Sequence, residues 1–454
     1  MKHLFVAASI AFLCFLKPAT AAEIQEVVSP GGVIAWLIEE HSIPLISVEY
    51  EFTGGSSSDP QGKEGLAYLA SGLLNEGAGD LNARAFQKRL DELAIRMSFD
   101  ADADQMSGSL QTLTDNAEDA FQLLGMALAD PSFDQDAVDR VKQQVLAIQR
   151  RESQRPRSVA VKAWMASSFE DHPYGRRSKG DEASIIAITA DDLHTFTQRH
   201  FALDNVIIGV VGDIDAQTLG EFLDLAFADL SEEADVDPIA NVVPARDYDV
   251  DIIDQDVPQS TVIFGSNGLR RNDPDWYTAI VMNYVLGSGG FASRLTEEVR
   301  RKRGLAYGVS TQLVPRDHAG LFIGTVATQN ARVGESVKVI RDEIQRMADF
   351  GISPQELVDA KTYLTGSYAL RFGTSKSAAA QLVGIQRYGL GMNYIDRRND
   401  YIDAVSIEQV NRVAKRLLQT DNLFWVIVGR PEGLPEDMSI TPDASQPQSN
   451  GSGS

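Results

Sequence analysis

Cysteine is all but absent from this chain. Cys14 is the only one in 454 residues, and it sits inside an apolar stretch, Leu4 to Leu16. Lys2 precedes that stretch and Ala19-Thr20-Ala21-Ala22 follows it, so residues 1–22 read as a secretion signal with a small-residue cleavage site. The run is too short for a membrane anchor, and Phe12 and Leu13 are not the small residues that precede a lipid-attachment cysteine. The mature chain is left without disulfide or thiol chemistry. An exported protein lacking cysteine fits a bacterial periplasm.

Basic charge is also in deficit. Lys and Arg number 41 against 64 Asp and Glu, a net charge of −23 that becomes −25 once Lys2 and Lys17 leave with the signal. So acidic a surface repels phosphate backbones and anionic lipids, which excludes nucleic acid and membrane as partners. Histidine is scarce: beyond the signal only His41, His172, His194, His200 and His318 occur, and no two share a helix-face metal spacing. His172 reads as a loop-orienting residue, and His194 and His200 as flanking a helix end. No Gly-x-Ser-x-Gly elbow occurs, so nothing supports a hydrolase built on another nucleophile.

What is present is a repeat. The length favours two or more domains, and Asp204-Asn205-Val206-Ile207-Ile208-Gly209-Val210-Val211-Gly212 lines up with Asp421-Asn422-Leu423-Phe424-Trp425-Val426-Ile427-Val428-Gly429 at an offset of 217 residues. The same offset pairs Thr189-Ala190-Asp191-Asp192 with Ser406-Ile407-Glu408-Gln409, each a helix N-cap signature. Apolar residues then follow at helical spacing, Leu193 and Phe196 in one copy, Val410 and Val413 in the other. Cap, helix and buried strand at one offset argue for duplication. The division expected is a signal at 1–22, a first domain at 23–230, an acidic proline-containing linker at 231–247, a second domain at 248–434 and a disordered tail at 435–454. Ile46, Val48, Tyr50 and Phe52 alternate with polar residues, predicting a strand with one buried face, and Leu66, Leu69 and Leu73 predict a helix stripe. Each half is thus α+β, a mostly antiparallel sheet with helices packed on one face.

A strand, the turn Gly54-Gly55-Ser56-Ser57-Ser58-Asp59-Pro60, and the helix opening at Gly65-Leu66-Ala67-Tyr68-Leu69-Ala70-Ser71-Gly72 give the chain its first likeness. The setting resembles the first helix of pitrilysin/insulinase-type metallopeptidases, including the mitochondrial processing peptidase. That helix carries the inverted zinc motif HxxEH, two histidines on one face gripping the metal and a glutamate activating water. Here Tyr68, Ser71 and Gly72 occupy the three positions. The family's third ligand, a glutamate on a later helix, falls at Ile148 or Gln149, and the nearby Glu152 reads as a surface charge. The resemblance therefore implies two homologous LuxS/MPP-like metallohydrolase domains with no cofactor of their own.

The resemblance continues through His172-Pro173-Tyr174-Gly175 and is most specific over Ser293 to Tyr307. In that family an Arg and a Tyr seven apart, from the second domain or a second subunit, complete the catalytic chamber; here they are Arg300 and Tyr307. Arg300 would end a helix, Gly304 break it, and Tyr307 begin a strand sharing a face with Val309, Thr311 and Leu313. By spacing alone these are a basic helix end and a half-buried aromatic; the resemblance gives them chemistry. Gly287-Ser288-Gly289-Gly290 lacks the Lys-Ser/Thr of a phosphate loop. In the resembled processing peptidase the non-catalytic subunit carries a longer glycine-rich loop at that place where substrate is recognised; the loop here is short, and the resemblance implies substrate contact at Gly289 and Gly290. The expectation is an exported, zinc-free subunit. It pairs with an HxxEH-bearing zinc subunit of the same fold and acts on unfolded peptides, contributing Arg300 and Tyr307. The other reading is a structural or peptide-binding scaffold without chemistry.

Overall fold

The computed structural model describes residues 23–245 and 249–438; the expected signal at 1–22 and the tail from 439 onward lie outside the described residues. In the first domain the strands are β1 (Gln25–Val28), β2 (Ile34–Glu39), β3 (Leu45–Thr53), a short hairpin of β4 (Gly77–Ala78) and β5 (Leu81–Asn82), β6 (Arg96–Ala101), β7 (Gln105–Leu113) and β8 (Val206–Gly212). All but the hairpin form one sheet ordered β1-β2-β8-β3-β7-β6. The second domain contributes β9 (Val250–Ile253), β10 (Gln259–Asn267), β11 (Ala306–Pro315), β12 (Gly320–Gln329) and β13 (Phe424–Val428), ordered β11-β12-β10-β13-β9.

Read from its other edge, the second sheet repeats the first without β1. β8 runs parallel to β2 and antiparallel to β3, and β13 runs parallel to β9 and antiparallel to β10. The two strands matched by the sequence repeat therefore hold equivalent central places. Their near-continuous apolar runs suit strands covered on both faces. The helices before them start as expected: Thr189 and Asp192 form one capping box, Ser406 and Gln409 the other. Leu193, Phe196, Val410 and Val413 are buried beneath them.

Each sheet packs its own domain's helices on one face, with Ile46, Val48, Tyr50 and Phe52 meeting Leu66, Leu69 and Leu73 in the first core. The second face is covered as well, by a helix from the opposite domain. Ser375–Arg387 lies across β8 and β3, where Ala378, Ala379 and Leu382 pack on Ile38 and Val211. Reciprocally, Pro156–Ser168 lies across β10 and β13, where Ala160 and Trp164 pack on Ile263, Phe424 and Val426. This exchange explains why Ser47 and Glu51, polar positions on β3, are only 0% and 9% exposed. The alternation in β3 marks its own core face and cannot reveal a cover supplied from some 330 residues away in sequence.

Glycines let the exchanged helices approach. A Cβ on Gly209 would lie 2.6 Å from the Ala379 carbonyl oxygen, and one on Gly265 would lie 2.5 Å from the Phe322 carbonyl oxygen and 2.9 Å from the Trp164 ring. The Trp164 indole N–H donates to the Phe424 carbonyl (3.3 Å) and the Gln386 amide donates to the Ile208 carbonyl (2.9 Å). Charged ties close the seam: Arg387 reaches Asp317 (2.9 Å) and Glu51 (3.6 Å), and Lys376 reaches Glu49 (3.7 Å). Residues 231–245 carry no helix or strand longer than a bridge, and run along this seam, with the Val242 N–H donating to the His318 carbonyl (2.9 Å). No described helix is long and apolar enough to cross a membrane.

Candidate functional site

The helix Leu66–Ser71 is started by Gly65 in a left-handed conformation (φ +94°). A side chain there would strike the Lys179 backbone at 2.7 Å. Asp59 caps this helix, accepting from the N–H groups of Gly65 (2.7 Å) and Ala67 (2.9 Å). Burial pushes its carboxyl up to about 7, against those backbone hydrogen bonds. Local geometry thus builds the helix that the sequence anticipated. Its face, however, offers a metal nothing. The Ser71 hydroxyl is spent on the Tyr68 carbonyl (2.9 Å). Gly72 has no side chain, and a Cβ there would press within 3.2 Å of Val141. On the later helix, Gln135–Ser153, the Gln149 amide is spent on the carbonyls of Lys179 (2.7 Å) and Gly180 (3.2 Å).

These elements are joined instead by a cation of the chain's own. The Lys179 ammonium stands 5.0 Å over the Tyr68 ring and 2.6 Å from a Glu152 carboxylate oxygen, whose other oxygen takes Lys162 at 2.8 Å. Glu152 is therefore a structural hub, not the surface charge that its register suggested. Burial raises its pKa, but the hydrogen bonds from Lys162 and Lys179 outweigh it and hold the carboxyl below its usual range. Burial likewise lowers Lys179, and Glu152 and Tyr68 outweigh it, leaving an ammonium with no proton to accept. A phenol ring, a used hydroxyl, a glycine and a used amide do not fit zinc, and no group of three or more His, Cys, Asp or Glu placed to hold a metal occurs among the described residues.

His172, His194 and His200 each pack or bond within the first domain's framework. His172 caps the turn Pro173–Gly175 and bonds the Ala240 carbonyl (2.9 Å), orienting that loop as expected. His194 lies within the helix Ala190–His200, against Phe133, not at its end. His200 does end it, stacked 4.0 Å from Phe196, with burial pushing it down to about 4.

In the second domain three irregular segments converge. Tyr284–Ser288 and Thr296–Arg301 are wide π-turns, which are frequent at functional sites. β11 carries a bulge between Ala306 and Val309, where three steps oppose the two from Thr328 to Val326. That extra residue reverses the side-chain direction. Val309 and Thr311 point inward as expected, whereas Tyr307 turns out to 85% exposure and does not share their face. The Arg300 guanidinium lies 4.6 Å from the Tyr307 ring centroid and 4.9 Å from that of Phe291, itself 71% exposed. Gly289 and Gly290 (φ +57°) form the turn that carries Phe291. Sequence reasoning brought Arg300, Tyr307 and the two glycines together and missed Phe291, because one exposed aromatic beside a glycine pair has no periodicity to mark it.

Every other basic residue of this stretch has an acid. Arg294 forks onto Glu356 (2.6 Å), Arg301 takes Glu297 (2.7 Å), and Lys302 and Arg303 share Glu298 (2.7 and 2.6 Å). Arg300 has no acidic partner among the described residues. It is half-buried between the two rings, with no carboxylate competing for its N–H donors. This cluster and the Tyr68–Lys179–Glu152 cluster belong to different domains, and no hydrogen bond or ring contact joins them among the described residues.

Residues 37–182 match the family model described as insulinase (peptidase family M16), and residues 187–364 match that of the peptidase M16 inactive domain. The chain belongs to the M16 peptidase family. It is 28% identical over 392 residues to the non-peptidase homolog YmxG of Helicobacter pylori, covering 86% of this chain and 90% of that protein. It is 23% identical over 433 residues to a probable mitochondrial-processing peptidase subunit beta of Arabidopsis thaliana, covering 92% and 80% respectively. The crystal structure of a peptidase M16 inactive domain from Pseudomonas fluorescens superposes with a TM-score of 0.84 at 28% identity, over 92% of this M16 chain and all of that one. Within the family, this member lacks the HxxEH side chains and carries its own lysine among the replacements.

Proposed function

We propose that this M16 chain is the zinc-free subunit of an exported two-chain metallopeptidase, presenting Arg300 and Tyr307 to the active site of an HxxEH-bearing partner of the same fold. The observation that carries this reading is the stacked, outward-facing pair with free donors. A phenol hydroxyl placed beside the carbonyl oxygen of a scissile amide donates a hydrogen bond that strengthens as that oxygen becomes negative, worth about 2.7–4 kcal/mol in the transition state. A guanidinium without a carboxylate partner can hold the peptide carbonyl in register while that happens. The zinc, the attacking water and the general base belong to the partner; unfolded peptide is the substrate.

The exchanged helices support the need for a second chain. They fasten the two domains to one another, so the Arg300 face cannot be covered by folding one half of this chain over the other. The segment 1–22 supports export.

The test is co-purification of the tagged chain from its host, followed by peptidase assays on the isolated chain and on the assembly. The isolated chain is expected to be inactive, and the assembly to cut unfolded peptide in a chelator-sensitive way. Tyr307→Phe should lower kcat by about 10²–10³ while leaving assembly intact. Chelator-sensitive cleavage by the isolated chain, or full turnover by the Tyr307→Phe assembly, refutes the proposal. An assembly that forms and binds peptide without cutting it would establish a scaffold instead.

A further inference from the structure

We infer that Phe291 is a positioning residue for Arg300, so that Phe291, Arg300 and Tyr307 act as one stacked unit reading the backbone of an extended peptide; this rests on the function proposed above. An arginine side chain has about 2 kcal/mol of rotamer entropy to lose, and something must fix it before it can aim. For its neighbours the fixing element is a carboxylate: Arg294, Arg301, Lys302 and Arg303 are all held that way. Arg300 is held by two rings, at 4.9 and 4.6 Å.

The difference has a chemical consequence. A carboxylate clamp would occupy the guanidinium N–H donors in bidentate hydrogen bonds. A ring carries no carboxylate oxygen to take up those donors, so holding the cation between two rings leaves its N–H groups for another acceptor. An amide carbonyl in an extended chain is such an acceptor, neutral and planar.

Phe291 is placed against the Arg300 guanidinium and outside any core. At 71% exposure it contributes nothing to a core. The turn that carries it is closely packed from below: a Cβ on Gly289 would meet the Tyr284 carbonyl oxygen at 2.6 Å, and the Tyr284 ring stacks on Tyr363 at 5.0 Å. Above, Gly290 has nothing within 4 Å of where a Cβ would be. Gly289 and Gly290 are on this account the frame that sets Phe291 against Arg300.

Two measurements test the inference separately from its foundation. In the isolated full chain, the Arg300 side-chain Nε–H resonance, assigned by its loss in Arg300→Lys, is expected upfield of the other arginines because of both ring currents. Phe291→Ala should move it back toward them, and Phe291→Tyr should not; an unmoved resonance in Phe291→Ala overturns the inference. In the assembled peptidase acting on labelled denatured casein, Phe291→Ala should lower kcat about five- to tenfold with KM changed less than about twofold, and Phe291→Tyr should restore it. A raised KM with unchanged kcat and an unmoved Arg300 resonance would make Phe291 a direct substrate contact and overturn the positioning role. Full activity in Phe291→Ala alongside a defective Tyr307→Phe overturns it as well, leaving the proposed function intact. Full activity in both variants removes the proposed function and this inference with it.

Discussion

Trp164→Ala attacks the seam where one domain's helix roofs the other domain's sheet. The indole is 1% exposed, packs against Phe169 and Phe424 at ring distances of 6.5 and 6.3 Å, and donates to the Phe424 carbonyl. Truncating a buried aromatic costs about 3–5 kcal/mol. The upper half of that range is expected here, because the rigid strands β10 and β13 cannot collapse into the space and a net contribution of about 1 kcal/mol from the hydrogen bond goes with it. Urea unfolding followed by far-ultraviolet circular dichroism measures this. The wild type is expected to unfold in one transition because each sheet is roofed by the other half. The variant should show an earlier, separate transition for the second sheet, and Trp164→Phe should fall between the two. A loss below about 1 kcal/mol, with the single transition kept, would refute the claim that the exchanged helices fasten the domains.

Three further outcomes are expected. Asp59, raised to about 7 by burial, keeps its proton in the folded chain where the unfolded chain has released it. Its stabilising term is thus full below about pH 3.9 and lost as pH rises through 7. The stability of wild type relative to Asp59→Asn should therefore fall between pH 5 and pH 8 in denaturant melts; a difference that stays constant over that range would show the cap to be charged. Lys179→Ala removes the ammonium between Tyr68 and Glu152 and should cost about 1 kcal/mol with an unchanged urea m-value, since both partners are partly solvated and Glu152 keeps Lys162. Zinc added to the purified chain should leave its Tm unchanged, because a ligand that does not bind the native state cannot stabilise it; a zinc-dependent rise in calorimetry would contradict the description of the first helix.

Much of this was legible from local patterns. The duplicated capping boxes and the apolar runs of β8 and β13 are local signals, and they placed the two halves in equivalent topology. The turn from Gly54 to Pro60 and Gly65 likewise marked the helix that bears Tyr68 and Ser71, though not its cap by Asp59. The exchange of roofs was not legible. Ala160 and Trp164, or Ala379 and Leu382, show that a helix has an apolar face, and no periodicity says which sheet receives it. The bulge at Tyr307 escaped for a related reason: the stretch from Ala306 to Leu313 reads as ordinary alternation, and its one clue was Gly308, a glycine inside a strand. Lys179 and Phe291 escaped because their roles exist only in three dimensions. Each sits in a loop and acquires meaning from partners many residues away.

The reciprocal roofing makes neither half an autonomous module. Splitting the gene near residue 240 would yield two polypeptides, each with a bare apolar sheet face, that must find one another to become soluble. A protease nick in the same connection would leave a particle that migrates as if whole.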